Sequence, residues 1–126
     1  MRRLTPAELD AYDVIDRSLA ERVRIVPVPF LAPGASGMTI GRFIFLTSDP
    51  DQLGGRELLA HELVHVRQFA ELGFLRFLFH YLRDYGRCLR ELRKHRAAYL
   101  AIPAEERARA EAAVWQARRK DIAAPG

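Results

Sequence analysis

Two histidines four residues apart, with a glutamate directly after the first, stand in the segment RELLAHELVHVRQFAEL, Arg56 to Leu72. On an α-helix His61 and His65 lie one turn apart on one face, with about 6 Å between their side-chain roots, so both imidazoles can meet one tetrahedral ion. Glu62 is rotated by about 100° from His61. In an H-E-x-x-H arrangement this sets its carboxylate beside a metal-activated water instead of on the metal. Neutral imidazoles bind Zn²⁺ without cancelling its charge, so the ion can bring the pKa of water toward about 7 and polarise a carbonyl. Glu62 is then placed to take the water's proton and to return one to a leaving amine. The competing reading makes His61 and His65 packing histidines and Glu62 a surface charge. Against it, the face of the pair differs from the apolar face of Leu59, Leu63 and Val66 on the same segment.

A catalytic zinc takes a third protein ligand and keeps a fourth position open. The extension that supplies a histidine six residues after the second one does not fit, because Gln68 and Glu71 occupy its key positions. A continuing helix turns Glu71 by about 240° from His65. The third ligand therefore has to come from a later segment, where His80, Asp84, His95, Glu105, Glu106 and Glu111 are the candidates.

The motif LLAHELVHVRQF, followed further along by AAYLAIPAEERA, resembles the small bacterial zincin-like domains of the gluzincin type, and the resemblance spans the chain from about Val23 to Ala112. It implies an α+β minimal metallopeptidase fold in which a short sheet and the H-E-x-x-H helix are followed by a helix bearing a glutamate. It implies a zinc-dependent metallopeptidase holding one Zn²⁺ per chain and acting on a peptide or protein substrate. In such domains the third ligand sits in a pattern similar to E-x-x-A. Glu105-Glu106-Arg107-Ala108 fits that pattern with Glu105 as ligand and Glu106 as the alternative; where similar domains carry a second acidic residue before the alanine, this chain has Arg107. Glu105 falls in the first turn after Pro103, where the helix dipole favours a carboxylate, as it would for an ordinary surface glutamate. A pair of imidazoles with a carboxylate favours zinc among divalent ions. His80, Tyr81, His95 and Tyr99 are candidates to orient ligands or donate to an oxyanion.

These residues need elements to hold them. Thr5-Pro6-Ala7-Glu8 combines a hydroxyl cap, a proline at the first helical position and a glutamate three residues after the cap, which predicts a helix running to about Ala20. RVRIVPVPF, Arg22 to Phe30, is rich in β-branched residues, but its two prolines cannot donate to a ladder, so it belongs at a sheet edge or turns irregular after Val26. APGASG, Ala32 to Gly37, is a loop. MTIGRFIFLT, Met38 to Thr47, reads as one or two strands, with Gly41 as a bulge or hairpin turn. FIFLT, Phe43 to Thr47, takes the place in the order where zincin-like folds line the cleft, so a peptide could add to it by main-chain pairing; its side chains equally suit a core.

Ser48 to Gly55 is a polar connector. Leu59, Leu63, Val66 and Ala70 then form a helical stripe over Arg56–Leu72. Gly73 ends that helix, and helices are expected over Phe74–Tyr85 and, beyond Gly86, over Arg87–Leu100. Pro103 opens a last helix to about Arg119. This order predicts an α+β domain with a small antiparallel or mixed sheet.

The chain's 126 residues and 14.4 kDa amount to one domain, residues 1–126. Hydrophobic residues at 49% and charged residues at 29% match a folded globular protein and exclude a disordered one. The single cysteine, Cys88, cannot make an internal disulfide, and the N-terminus has no apolar signal core, so a reducing, cytoplasmic setting is expected. The most apolar run, FLRFLFHYL, is far short of a membrane span. A basic excess concentrates in Arg83, Arg87, Arg90, Arg93, Lys94 and Arg96, opposed by Asp84 and Glu91. It could meet nucleic acid or anionic lipid, but no aromatic residues interleave it for base stacking, and a solvated face is the ordinary outcome. Beside the metallopeptidase stands a second reading, a noncatalytic zincin-like binding or scaffold module, since so short a chain leaves little sequence for substrate subsites.

Overall fold

The computed structural model describes residues 1–32, 34–48 and 55–123. Most of the polar connector, residues 49–54, and part of the APGASG loop lie outside them, as does the side chain of His95. In chain order the elements are α1 (Pro6–Ala11), α2 (Arg17–Ala20), β1 (Arg24–Pro27), β2 (Gly37–Ile40), β3 (Phe43–Leu46), α3 (Gly55–Leu72), α4 (Phe74–Leu92), α5 (His95–Ala101) and α6 (Pro103–Ala123). This is a small α+β arrangement, mostly helical, with a three-stranded sheet. Among the described residues no helix is long and apolar enough to cross a membrane.

The N-terminal cap forms as its residue types require. Thr5 Oγ1 accepts from the Glu8 amide at 3.1 Å, and the Glu8 carboxylate accepts from the Thr5 amide at 2.8 Å. The helix stops at Ala11 instead of reaching Ala20. Tyr12, Val14 and Ile15 are all buried, and a continued helix would spread them around its axis instead of aiming them at one core. The chain breaks to bury all three, and Tyr12 stacks on Trp115 with 4.7 Å between ring centroids.

The sheet is mixed, in the order β1-β3-β2, with β1 parallel and β2 antiparallel to β3. Pro27 ends β1 at the sheet edge, where a missing amide costs no ladder bond. Gly41 opens the two-residue turn between β2 and β3 at φ +63°, a conformation that favours glycine. Because β3 is paired on both sides, the FIFLT segment has no free edge for a peptide; Ile44 and Leu46 point into the core instead. Among the described residues β1 and β2 are the edge strands; β1 meets Arg2 through a single bridge at Ile25, and β2 pairs on one side alone.

α3 runs through the centre of the molecule, packed against the sheet, α4 and α6. Leu59, Leu63 and Val66 are buried, as the stripe predicts, while Ala70 is exposed. Gly86 does not break the chain: α4 runs through it to Leu92. Phe77 and Cys88, both buried, are eleven residues apart and fall within about 20° of one another only on an uninterrupted helix. The break comes at Arg93, whose left-handed backbone (φ 56°) lets its amide donate to the Leu89 carbonyl. The basic run is therefore not one helical face, since Arg93 and Lys94 sit in the break and Arg96 lies on α5. Pro103 takes the first position of α6 as expected, and the helix continues past Arg119 to Ala123.

Candidate metal centre

α3 presents His61 and His65 toward the start of α6, and α6 returns Glu105. His61 Nε2 lies 3.0 Å from Glu105 Oε2, His65 Nε2 lies 2.9 Å from Glu105 Oε1, and the two Nε2 atoms are 3.2 Å apart. The three side chains thus bring one donor atom each to a common point, all within 4.8 Å of one another, and such a cluster could hold a metal ion. A tetrahedral ion with bonds of about 2.0–2.1 Å spaces its donors about 3.3 Å apart. The two imidazole nitrogens, 3.2 Å apart, match that spacing, and the two oxygens of Glu105 each lie about as close to one of them, so the cluster could hold a metal ion.

The surroundings fix how each ligand points. Gln68 Oε1 lies 2.8 Å from His65 Nδ1 and accepts from it, so that in a neutral ring Nε2 would be the nitrogen left to bind a metal ion. The Gln68 amide nitrogen donates to the Ala104 carbonyl at 3.2 Å, tying α3 to the residue next to Glu105. The Tyr81 hydroxyl of α4 donates to Glu105 Oε1 at 3.0 Å, and the Tyr99 hydroxyl of α5 lies close enough to feel the charge of that carboxylate. Four helices therefore meet at Glu105.

Electrostatics follow the geometry. Burial pushes the Glu105 carboxyl up, but hydrogen bonds and charge from the two histidines outweigh it and hold the group well below the usual carboxylate range. Burial would lower His65, but the Glu105 carboxylate raises it on balance. Burial and the nearby carboxylate hold Tyr81 and Tyr99 far above the ordinary phenol range, so both hydroxyls keep their protons.

Glu62, next to His61 on α3, packs against β2. Thr39 Oγ1 donates to Glu62 Oε2 at 2.6 Å, and the backbone of Gly37 passes so close that an added Cβ would come within 3.1 Å of Glu62 Oε1. Only 3% of Glu62 is exposed. Burial raises its carboxyl above the usual range, against the pull of His65, the Thr39 bond and His61.

The remaining candidates go elsewhere. Glu106 is exposed on the next position of α6 and takes no part in the cluster. Glu111 pairs with Arg67, Glu71 also turns to Arg67 at 3.3 Å, and Asp84 pairs with Arg83 and Arg87. His80 packs edge-on against Phe79. Thr39 and Gly37 were not among the sequence candidates, and Gln68 figured only as a missing ligand. Gln68 had a local signal, three residues after His65 on the same helical face. Thr39 had none, because its partner is set by the packing of β2 on α3.

The eCIS core domain family matches residues 30–72, less than half of the chain. The matched segment takes in β2, β3 and α3, with His61, Glu62 and His65, and stops short of Glu105. No curated protein and no solved structure matches the chain.

Proposed function

We propose that the chain is a zinc-dependent metallopeptidase of zincin-like type, formed as one domain, with His61, His65 and Glu105 as metal ligands and Glu62 as general base. The observation that carries this reading is the convergence of the three donor atoms beside a buried carboxylate. A bound zinc ion supplies Lewis-acid chemistry, making water acidic and polarising a peptide carbonyl. The protein's own residues do the rest. Glu62, with a carboxyl raised by burial, accepts a proton at its free oxygen and delivers it to the departing amine. Thr39 holds the other oxygen so that the carboxyl group keeps one orientation. Gln68 sets the tautomer of His65, and Tyr81 keeps Glu105 in place. The free edge of β2, next to Glu62, offers main-chain groups to an extended peptide.

One observation favours the second reading, a noncatalytic binding or scaffold module. The Glu62 carboxyl is enclosed by Thr39 and Gly37. In that case the cluster would tie α3 to α6 without turning over a substrate.

Metal analysis of the purified chain with a peptide-library cleavage assay separates them. The peptidase reading expects close to one zinc per chain, with Glu62→Gln keeping the metal and abolishing cleavage. Stoichiometric zinc without cleavage of any library peptide, unchanged by Glu62→Gln, would establish the scaffold reading, and a zinc-free chain would remove both metal-bound versions.

A further inference from the structure

The outer side of α4 carries apolar residues that the fold leaves in water. Leu75, Phe79 and Leu82 are 77%, 64% and 57% exposed, and Leu78 and Leu89 are exposed beside them. At about 100° per residue these five positions share a sector about 100° wide, turned away from the buried Phe77 and Cys88. The next sector, about 60° wide, holds only arginines: Arg76, Arg83, Arg87 and Arg90. Asp84 lies 3.4 Å from both Arg83 and Arg87, while Arg76 and Arg90 have no carboxylate in ion-pair distance among the described residues. At the start of the helix Phe74 abuts the Gly41 turn, which adds Arg42 and the exposed Ile40.

We infer that this face of α4 docks on an anionic lipid surface, with the helix axis in the plane of the interface. Phenylalanine and leucine on one sector with arginine on the next is the pattern of an interfacial helix, whose apolar side enters the headgroup boundary while guanidinium groups meet lipid phosphates. The face is a ridge on one helix, and neither hollow beside Arg67 includes a residue of α4. A fluid lipid layer accepts a ridge without a matching groove, which a protein partner would have to supply. A second copy would bring arginine against arginine. Nucleic acid would engage the arginine sector alone and leave the apolar one in water. The inner face of the same helix carries Phe77 and Tyr81, next to His65 and Glu105, so docking would bring the candidate metal centre close to the bilayer.

The test is co-sedimentation of the full chain with vesicles of phosphatidylcholine, alone or mixed about three to one with phosphatidylglycerol. The expected result is binding to the mixed vesicles, at least about tenfold weaker on phosphatidylcholine alone and weakened by salt. Leu75→Ala with Phe79→Ala, and separately Arg83→Gln with Arg90→Gln, should each weaken binding by about tenfold or more, with unchanged thermal melts because all four side chains are exposed. Leu82→Ala alone gives an independent reading of the apolar sector, with a smaller loss of several-fold. Failure to bind mixed vesicles at low salt overturns the inference. So does binding that survives both apolar variants, which would reduce the contact to charge alone. Capture of an acidic amphipathic peptide or formation of a dimer, with no vesicle binding, would assign the face to protein and overturn it as well.

Discussion

The Thr39 hydroxyl on the sheet edge donates a 2.6 Å hydrogen bond to Glu62 Oε2 on the central helix, joining two residues 23 positions apart. The bond leaves one carboxyl oxygen of Glu62 to handle a proton. Thr39→Val keeps the shape and removes the donor. In the peptidase reading, turnover should fall by about tenfold or more while metal content stays unchanged, and Thr39→Ser should restore most of it. Equal rates for Thr39→Val and wild type would show that the bond only packs β2 onto α3.

Gln68 fixes His65 from behind. Gln68→Leu preserves volume but leaves Nδ1 without its acceptor, so zinc affinity should drop about tenfold to a hundredfold. Competition with a chromogenic chelator reads this directly. An unchanged affinity would mean that the ring is held by packing against Phe77 instead.

Of the two adjacent glutamates on α6, Glu105 reaches the histidines and Glu106 does not, so the proposed metal site has Glu105 as its third ligand. Glu105→Gln should remove stoichiometric metal, whereas Glu106→Gln should retain it. Mass spectrometry under native conditions counts the ion in each case, and metal loss in the Glu106 variant would contradict the arrangement.

Gly86 sits exposed inside α4, and a Cβ added there would meet nothing within 4 Å. Gly86→Ala should therefore stabilise the fold by about 0.5–1 kcal/mol, read as a rise in the urea midpoint. A fall would indicate a chain break at this position.

Glu8 supplies the pH dependence. Burial would raise its carboxyl, but the Arg2 guanidinium, bonded to both of its oxygens at 2.7 and 3.0 Å, and the Thr5 amide bring it below the ordinary 4.5 on balance. A carboxylate with a depressed folded-state pKa stabilises above the unfolded value, and that contribution is lost as pH falls through the lower folded value. Glu8→Gln keeps an acceptor for the Thr5 amide but removes the charge that faces Arg2, so it should cost stability at pH 7 and show a shallower loss in acid below about pH 4.5. Parallel acid-unfolding curves for the two proteins would assign the acid sensitivity elsewhere.

Much of this was legible along the chain. The spacing of His61, Glu62 and His65 within an amphipathic stripe needed only helical geometry, and the caps at Thr5 and Pro103 are local chemistry whose partners lie within one turn. Glu105 became a candidate through the resemblance carried by its motif, and the fold sets it against both histidines. Tyr81 and Tyr99 were named as possible orienters, but their common neighbour emerges only when α4 and α5 pack around α6.

What the residues determined by themselves was the set of groups able to act and the helix that spaces two of them, because those interactions span three or four positions. Tertiary structure decided which strands lie at the sheet edges, that Thr39 restrains Glu62, and that α4 crosses Gly86 with its apolar outer side uncovered. Each of these depends on partners tens of residues away, or on which face of an element remains after packing. Local propensity carries no information on either.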